Sequence, residues 1–292
     1  MNIAITHTTT FEYSNDISES AMEVRLAPAT NERQMLRSHE LQVTPRVKLL
    51  PYRDYFGSTV HFFTVPAHYR RLAVVSTSVV ETVPTNPFLL PEGNTGALEA
   101  PEALYDYLQF GGPVGRHPEL ATLATAFRDE RPLLERLTAL NMAINRRLDY
   151  RPLVTQVDSA LDDVLALGQG VCQDFAHLMI GVCRELGVPA RYVSGYLYTP
   201  PSANARGSGA SHAWCECYLP GAGWKGFDPS NDLLGDDQYV QIATGRDYRD
   251  VPPTKGIYRG SAQEVIAVSV RTEQLEPQRG GARLSPGKNP ER

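Results

Sequence analysis

The sequence predicts an α+β protein: an N-terminal antiparallel β-sandwich, followed by a core in which a cysteine-bearing helix packs on an antiparallel sheet. Three observations predict it. Residues 1–83 carry short runs rich in Val, Thr, Phe and Tyr, bounded by Pro, Gly, Asn or Asp. From residue 118 the apolar residues recur at helical spacing. After a glycine-flanked cysteine at residue 172, one more helical stretch gives way to several strand-like runs.

In the first part the runs are MNIAITHTTTFEYS, EVRLAPAT, HELQVTP, STVHFFTVP and RLAVVSTSVVETV, and their close spacing is that of a sandwich. His7, His39, His61 and His68 are scattered among them with no ligand-like spacing, so they read as structural or solvated groups. Residues 84–117 are rich in Pro and Gly around a short helical patch, EALYDYL, and read as a linker. The core is expected over 118–270. Leu120, Leu123, Ala124 and Phe127 share one helical face, and Leu133, Leu137, Leu140 and Ile144 share another. Ser159 with Asp162 three residues on reads as the start of a third helix ending at Gly168. Gln173–Leu186 places Phe175, Met179, Val182, Cys183 and Leu186 on one stripe, a buried amphipathic helix stopped by Gly187 and Pro189. ARYVSGYLYT, SHAWCECYL and GWKGFDP are strands, the last two joined by PGAG; DQYVQIAT and AQEVIAVSV would extend the same sheet. Residues 271–292 are polar and rich in Pro and Gly, and read as a disordered tail.

Bulk properties exclude several function classes. At 292 residues the chain can hold two domains. Hydrophobic residues at 42% and charged residues at 21% are those of a soluble globular protein, and the net charge of −5 argues against a nucleic-acid partner. No apolar run has the length of a membrane span, and the first residues do not read as a signal peptide. The four cysteines all lie between 172 and 217, too few for a disulfide framework. The expected location is therefore cytoplasmic.

Cys172 follows Gly168-Gln-Gly170-Val and opens a helix. A helix N-terminus carries partial positive charge and unpaired N–H groups, which stabilise a thiolate. A thiolate nucleophile needs a base that later protonates the leaving group, for which histidine is suited at neutral pH. His177 lies five residues along the same helix, so its side chain points roughly 140° away from Cys172 and packs elsewhere. His212 opens the strand SHAWCECYL and is the better base; Asp228, on the partner strand, would orient it. The hairpin makes this checkable. A two-residue turn at Gly221-Ala222 would set Asp228 opposite Cys215, on the wrong face of the sheet. An odd loop or a bulge sets it opposite Trp214, on the face of His212. The assignment requires the second.

The words GVCQDFAHLM, RELGVPARYVSGYL and SHAWCECYLPGAGWKGFDPSND, in this order, resemble the core of bacterial transglutaminase-like proteins. The β-rich start resembles their N-terminal domain, and GRDYRDVPPTKGIYRG the segment after the core. The resemblance implies a papain-like, transglutaminase-like fold with Cys172 as nucleophile, His212 as base and Asp228 as orienting acid. Animal transglutaminases place an oxyanion-stabilising tryptophan before the cysteine, whereas Trp214 and Trp224 both follow Cys172. The backbone N–H of Cys172 can serve as one donor, and the second is open between Tyr150 and Gln173. Calcium loops have no counterpart, which weighs against cross-linking in particular.

Cys183, Cys215 and Cys217 could form three thiolate ligands, but with no fourth ligand nearby they read as core residues. Asp162-Asp163 and Asp236-Asp237 read as helix-end and loop charges, and Asp174 as a partner of the helix dipole or a nearby N–H. The expected function is acyl transfer through a thioester on a peptide or amide, with a peptide or protein as substrate and no cofactor or metal. Water is favoured over an amine as acceptor. The rival class is a non-catalytic binding module.

Overall fold

The computed structural model describes residues 1–89, 102–156, 159–200, 206 and 209–276. Six strands open the chain: β1 (Asn2–Ile17), β2 (Glu19–Val24), β3 (Gln34–Thr44), β4 (Leu50–Arg53), β5 (Thr59–Val65) and β6 (Tyr69–Thr82). A 3-10 turn at Glu102–Leu108 precedes α1 (Pro118–Thr125) and α2 (Leu133–Arg147). Then come β7 (Asp149–Tyr150), α3 (Leu161–Leu167), β8 (Gln169–Gly170) and α4 (Cys172–Glu185). The chain continues through β9 (Ala190–Leu197), β10 (His212–Leu219), β11 (Gly223–Asp228), β12 (Leu233–Leu234), β13 (Tyr239–Gly245), β14 (Thr254–Arg259) and β15 (Glu264–Leu275).

The N-terminal strands form two antiparallel sheets, β15-β1-β6-β3 and β14-β2-β5-β4. Alternating side chains of β1, β2, β5 and β6 fill the space between them, with Phe11, Ile17, Val24, Phe63 and Leu72 sealed from solvent. The core sheet runs β12-β11-β10-β9-β13, all antiparallel. DQYVQIAT joins it as β13, but AQEVIAVSV does not: it is β15, paired with β1. The sequence shows that this stretch is a strand but cannot show a partner some 260 residues upstream. The tail reading is corrected with it, because Arg271–Leu275 lie in β15 opposite Asn2–Thr6. Residues 277–292 lie outside the described residues. Cutting after Val270 should therefore lower the melting temperature relative to a chain ending at Glu276, by about 2–4 °C per kcal/mol of pairing lost. Equal melting temperatures would show that the end of β15 contributes nothing.

Strands β1 and β6 are long enough to serve two cores. One stretch closes the sandwich, while Ile3, Ile5 and Val80 belong to the larger cluster around α4. There His7 bonds Thr9 through Nε2 and the Tyr196 hydroxyl of β9 through Nδ1, both at 2.9 Å. Burial lowers its pKa to about 4, so the ring is a neutral connector. Gln34 adds a second clasp, donating from Nε2 to Gln241 O at 2.9 Å and accepting from Gln241 N–H at 2.8 Å.

Helix α4 is more enclosed than its apolar stripe implies, for every residue from Gln173 to Arg184 is buried. It packs on β9 and β10 and is covered by α1, α2 and α3. Arg184 survives there because four backbone carbonyls, those of Tyr107, Gln109, Ala190 and Arg246, accept from its guanidinium. Helix α3 begins one residue later than expected: Ala160 is its N-cap, and the Ser159 hydroxyl instead accepts from the Gln156 N–H.

Candidate active site

The hairpin between β10 and β11 has a three-residue loop, Pro220-Gly221-Ala222. Ala222 N–H donates to Leu219 O at 3.0 Å, which makes Pro220 and Gly221 the central residues of a turn. Gly221 has φ +72°, the left-handed value that a type II turn needs after proline. The odd loop pairs Leu219 with Gly223 and Cys215 with Phe227, so the next register position sets Trp214 against Asp228. His212 and Asp228 thereby share a face, as the assignment required.

His212 Nε2 donates to Asp228 Oδ2 at 2.7 Å, and both side chains are sealed from solvent. Asp228 accepts from five further donors. Tyr239 OH at 2.9 Å and Asn231 Nδ2 at 2.8 Å reach Oδ2. Ser230 N–H at 3.0 Å, its hydroxyl at 2.7 Å and Asn231 N–H at 3.2 Å reach Oδ1. Burial is the largest influence on the carboxyl and pushes its pKa up, but the imidazolium charge and these bonds outweigh it and hold it at about 2. The ring behaves reciprocally. Burial pushes its pKa down, whereas the charge and hydrogen bond of Asp228, together with the Cys172 thiol, lift it to about 10. Cys172, the first residue of α4, is half-buried, and its thiol lies near enough to the ring to help raise the imidazole pKa. His212 Nδ1 is buried and meets no hydrogen-bond partner among the described residues, which leaves it open toward the reacting groups. Thiol, imidazole and carboxylate thus converge in one place.

Surrounding contacts fix the pair. Trp214 stacks beside His212, with ring centroids 6.2 Å apart and planes at 25°, and Tyr239 meets Trp214 edge-on. Gly195 of β9 lies directly across from His212. A Cβ there would come within 2.1 Å of Val240 O and 2.6 Å of the Trp214 ring. Gly195→Ala should cost about 1–3 kcal/mol through overpacking, read as a lower urea midpoint; an unchanged midpoint would refute the close approach. From α2, Asn145 Nδ2 holds the carbonyls of Pro229 and Ser230 at 2.8 and 3.1 Å, and Arg206 reaches Ser230 O at 2.7 Å.

The other candidates fall outside this centre. His177 points away from Cys172 and accepts from Tyr248 N–H at 3.2 Å; burial lowers its pKa to about 3, so it stays neutral. Asp174 accepts from Val171 N–H at 2.7 Å and from the Thr155 hydroxyl at 2.6 Å, fixing the start of α4. Cys183, Cys215 and Cys217 are fully buried between α4 and β10, with sulfurs 3.5 Å apart along the chain of contacts through Cys217. Glu216, on the His212 face, is sealed and paired with Arg191 and Arg33. Sequence reading missed Tyr239, which reaches Asp228 from another strand, and Ser230 and Asn231, whose positions two and three after an aspartate are those of an Asx turn.

Comparison with known proteins agrees with the fold. The profile of the Transglutaminase-like superfamily matches residues 121–229, and that of the Bacterial transglutaminase-like N-terminal region matches residues 3–81. An uncharacterised protein of Mycobacterium tuberculosis is 36% identical over 299 aligned positions, covering 93% of this chain and 92% of its own length. A protein-glutamine gamma-glutamyltransferase of Pseudomonas aeruginosa is 27% identical over 166 positions, 51% of this chain and 24% of that protein. A crystal structure from Cytophaga hutchinsonii, provisionally named a cysteine protease, shares the fold with a TM-score of 0.74 at 22% identity, covering 95% of this chain and 92% of that one. By its sequence and by its fold, this chain belongs to the transglutaminase-like superfamily.

Proposed function

We propose that this chain is a cysteine-dependent acyl-transfer enzyme that cleaves peptide or amide bonds through a thioester on Cys172. The observation that carries the reading is the sealed His212–Asp228 pair beside a half-exposed thiol. The imidazole takes the thiol proton, and the sulfur attacks the carbonyl carbon, whose π electrons move to oxygen. The oxyanion collapses, the C–N bond breaks, and the amine leaves with the proton from His212. Water, deprotonated by the same imidazole, then hydrolyses the thioester. We favour water because it reaches the half-exposed Cys172 freely; an amine would give a new amide by the same steps, the outcome named for the Pseudomonas relative. Asp228 keeps the ring oriented and stabilises its charge. Four unpaired cysteines suit a reducing compartment, so we place the protein in the cytoplasm.

Iodoacetamide labelling separates this reading from a binding module. A thiol paired with imidazolium is alkylated at pH 6, where an ordinary thiol of pKa about 8.5 is hardly ionised. Rapid labelling of Cys172 at pH 6 is expected; labelling no faster than that of glutathione would favour the binding module.

A further inference from the structure

We propose that the Tyr150 hydroxyl is the second donor to the oxyanion, acting with the backbone N–H of Cys172. The inference rests on the acyl-transfer reading and completes it. Attack by sulfur leaves a full negative charge on the former carbonyl oxygen, and such sites commonly hold it with two preorganised donors. Cys172 supplies one: as the first residue of α4 its N–H has no intrahelical acceptor.

Tyr150 is carried to the same place by backbone pairing. Strands β7 and β8 run parallel, with Tyr150 opposite Gly170, two residues before Cys172. Asp149 N–H donates to Gly168 O and Arg151 N–H to Gly170 O, each at 2.9 Å, so both neighbours of Tyr150 are tied to the segment leading into α4. The ring is held by Phe175 of α4, with centroids 6.2 Å apart, and by the Arg206 guanidinium 5.2 Å above it. Among the described residues no partner takes the hydroxyl, although the phenol is half-buried beside the segment that leads into Cys172. Burial first, then the neighbouring Cys172, Asp228 and Asp174, raises its pKa to about 12, so it keeps its proton at neutral pH and can donate. Gln173, the other candidate, is buried and already engaged in a contact.

The test compares two reactions of the same thiol in the full-length Tyr150→Phe variant. Acylation by p-nitrophenyl acetate passes through an oxyanion; alkylation by iodoacetamide is a direct displacement at carbon and does not. The acylation burst should slow on the order of 10²-fold, while alkylation of Cys172 keeps the wild-type rate. A variant that acylates at the wild-type rate overturns the assignment. Equal slowing of both reactions also overturns it, because Tyr150 would then be ordering Cys172 and not holding the oxyanion. A wild-type chain that places no acetyl group on Cys172 removes the acyl-transfer reading itself, and the assignment with it.

Discussion

Cys172→Ala should abolish acyl transfer and leave the fold as it is. The residue lies at the start of α4, half-exposed, while the contacts that position the helix are made by Phe175, Met179 and Val182 deeper in the core. Exchanging a half-buried thiol for a methyl group removes little apolar area, so the melting temperature should stay within a few degrees of the parent. Chemically the loss is complete, since no other thiol can substitute: Cys183, Cys215 and Cys217 are fully buried. Turnover of p-nitrophenyl acetate, followed by the release of nitrophenolate, should fall to the uncatalysed background. Loss of activity in Cys215→Ala with Cys172→Ala still active would mean that the nucleophile is misassigned.

Asp228→Asn should lower the acylation rate by about 10³–10⁴-fold, because the ring loses both its orienting acceptor and the charge that stabilises imidazolium. It should also change how stability depends on pH, and the sign follows from the two shifts. His212 has a raised folded pKa, from 6.5 to about 10. Its contribution is fully present below pH 6.5 and is lost as pH rises through 10. Asp228 has a lowered folded pKa, from 3.8 to about 2. Its contribution is present above pH 3.8 and is lost as pH falls through 2. The pair therefore stabilises most between these limits, near pH 4 to 6.5. In Asp228→Asn burial dominates the imidazole and holds it neutral, so the decline between pH 6.5 and 10 should be shallower than in the parent. Asp228→Ala goes further: it leaves His212 and the donors from Tyr239, Ser230 and Asn231 buried without their acceptor, at about 3–5 kcal/mol. Urea unfolding of parent and Asn variant at pH 6 and pH 9.5, values inside and near the end of the His212 window, measures the difference. Parallel declines would show that His212 is not held charged by Asp228.

Much of this was legible in the chain because local chemistry decides it. Gly168, Gly170 and the apolar run after Cys172 announce a helix start, and PGAG announces a hairpin, although its odd loop, which puts Asp228 on the face of His212, is one of two registers the sequence leaves open. The illegible parts depend on distant partners. Nothing near AQEVIAVSV shows that it pairs with β1 and not with the core sheet. Asp174 and Arg184 look like the polar side of an amphipathic helix, yet both are buried, with Val171 and Thr155 donating to Asp174 Oδ2 and four backbone carbonyls taking the Arg184 guanidinium. Ser159 has the residue type of an N-cap, but its hydroxyl is taken by the Gln156 N–H. Tyr239 reaches Asp228 only because β13 crosses to the far side of β9.

The central claim is that Cys172 carries the acyl group, and peptide mapping by mass spectrometry tests it most directly. The full chain is mixed with p-nitrophenyl acetate, quenched in acid within the burst and digested. An acetyl group on the peptide containing Cys172, removed by neutral hydroxylamine as a thioester is, is the result the account predicts. An acetyl group confined to another residue, or a chain that stays unmodified while p-nitrophenol is released no faster than in buffer, would contradict it.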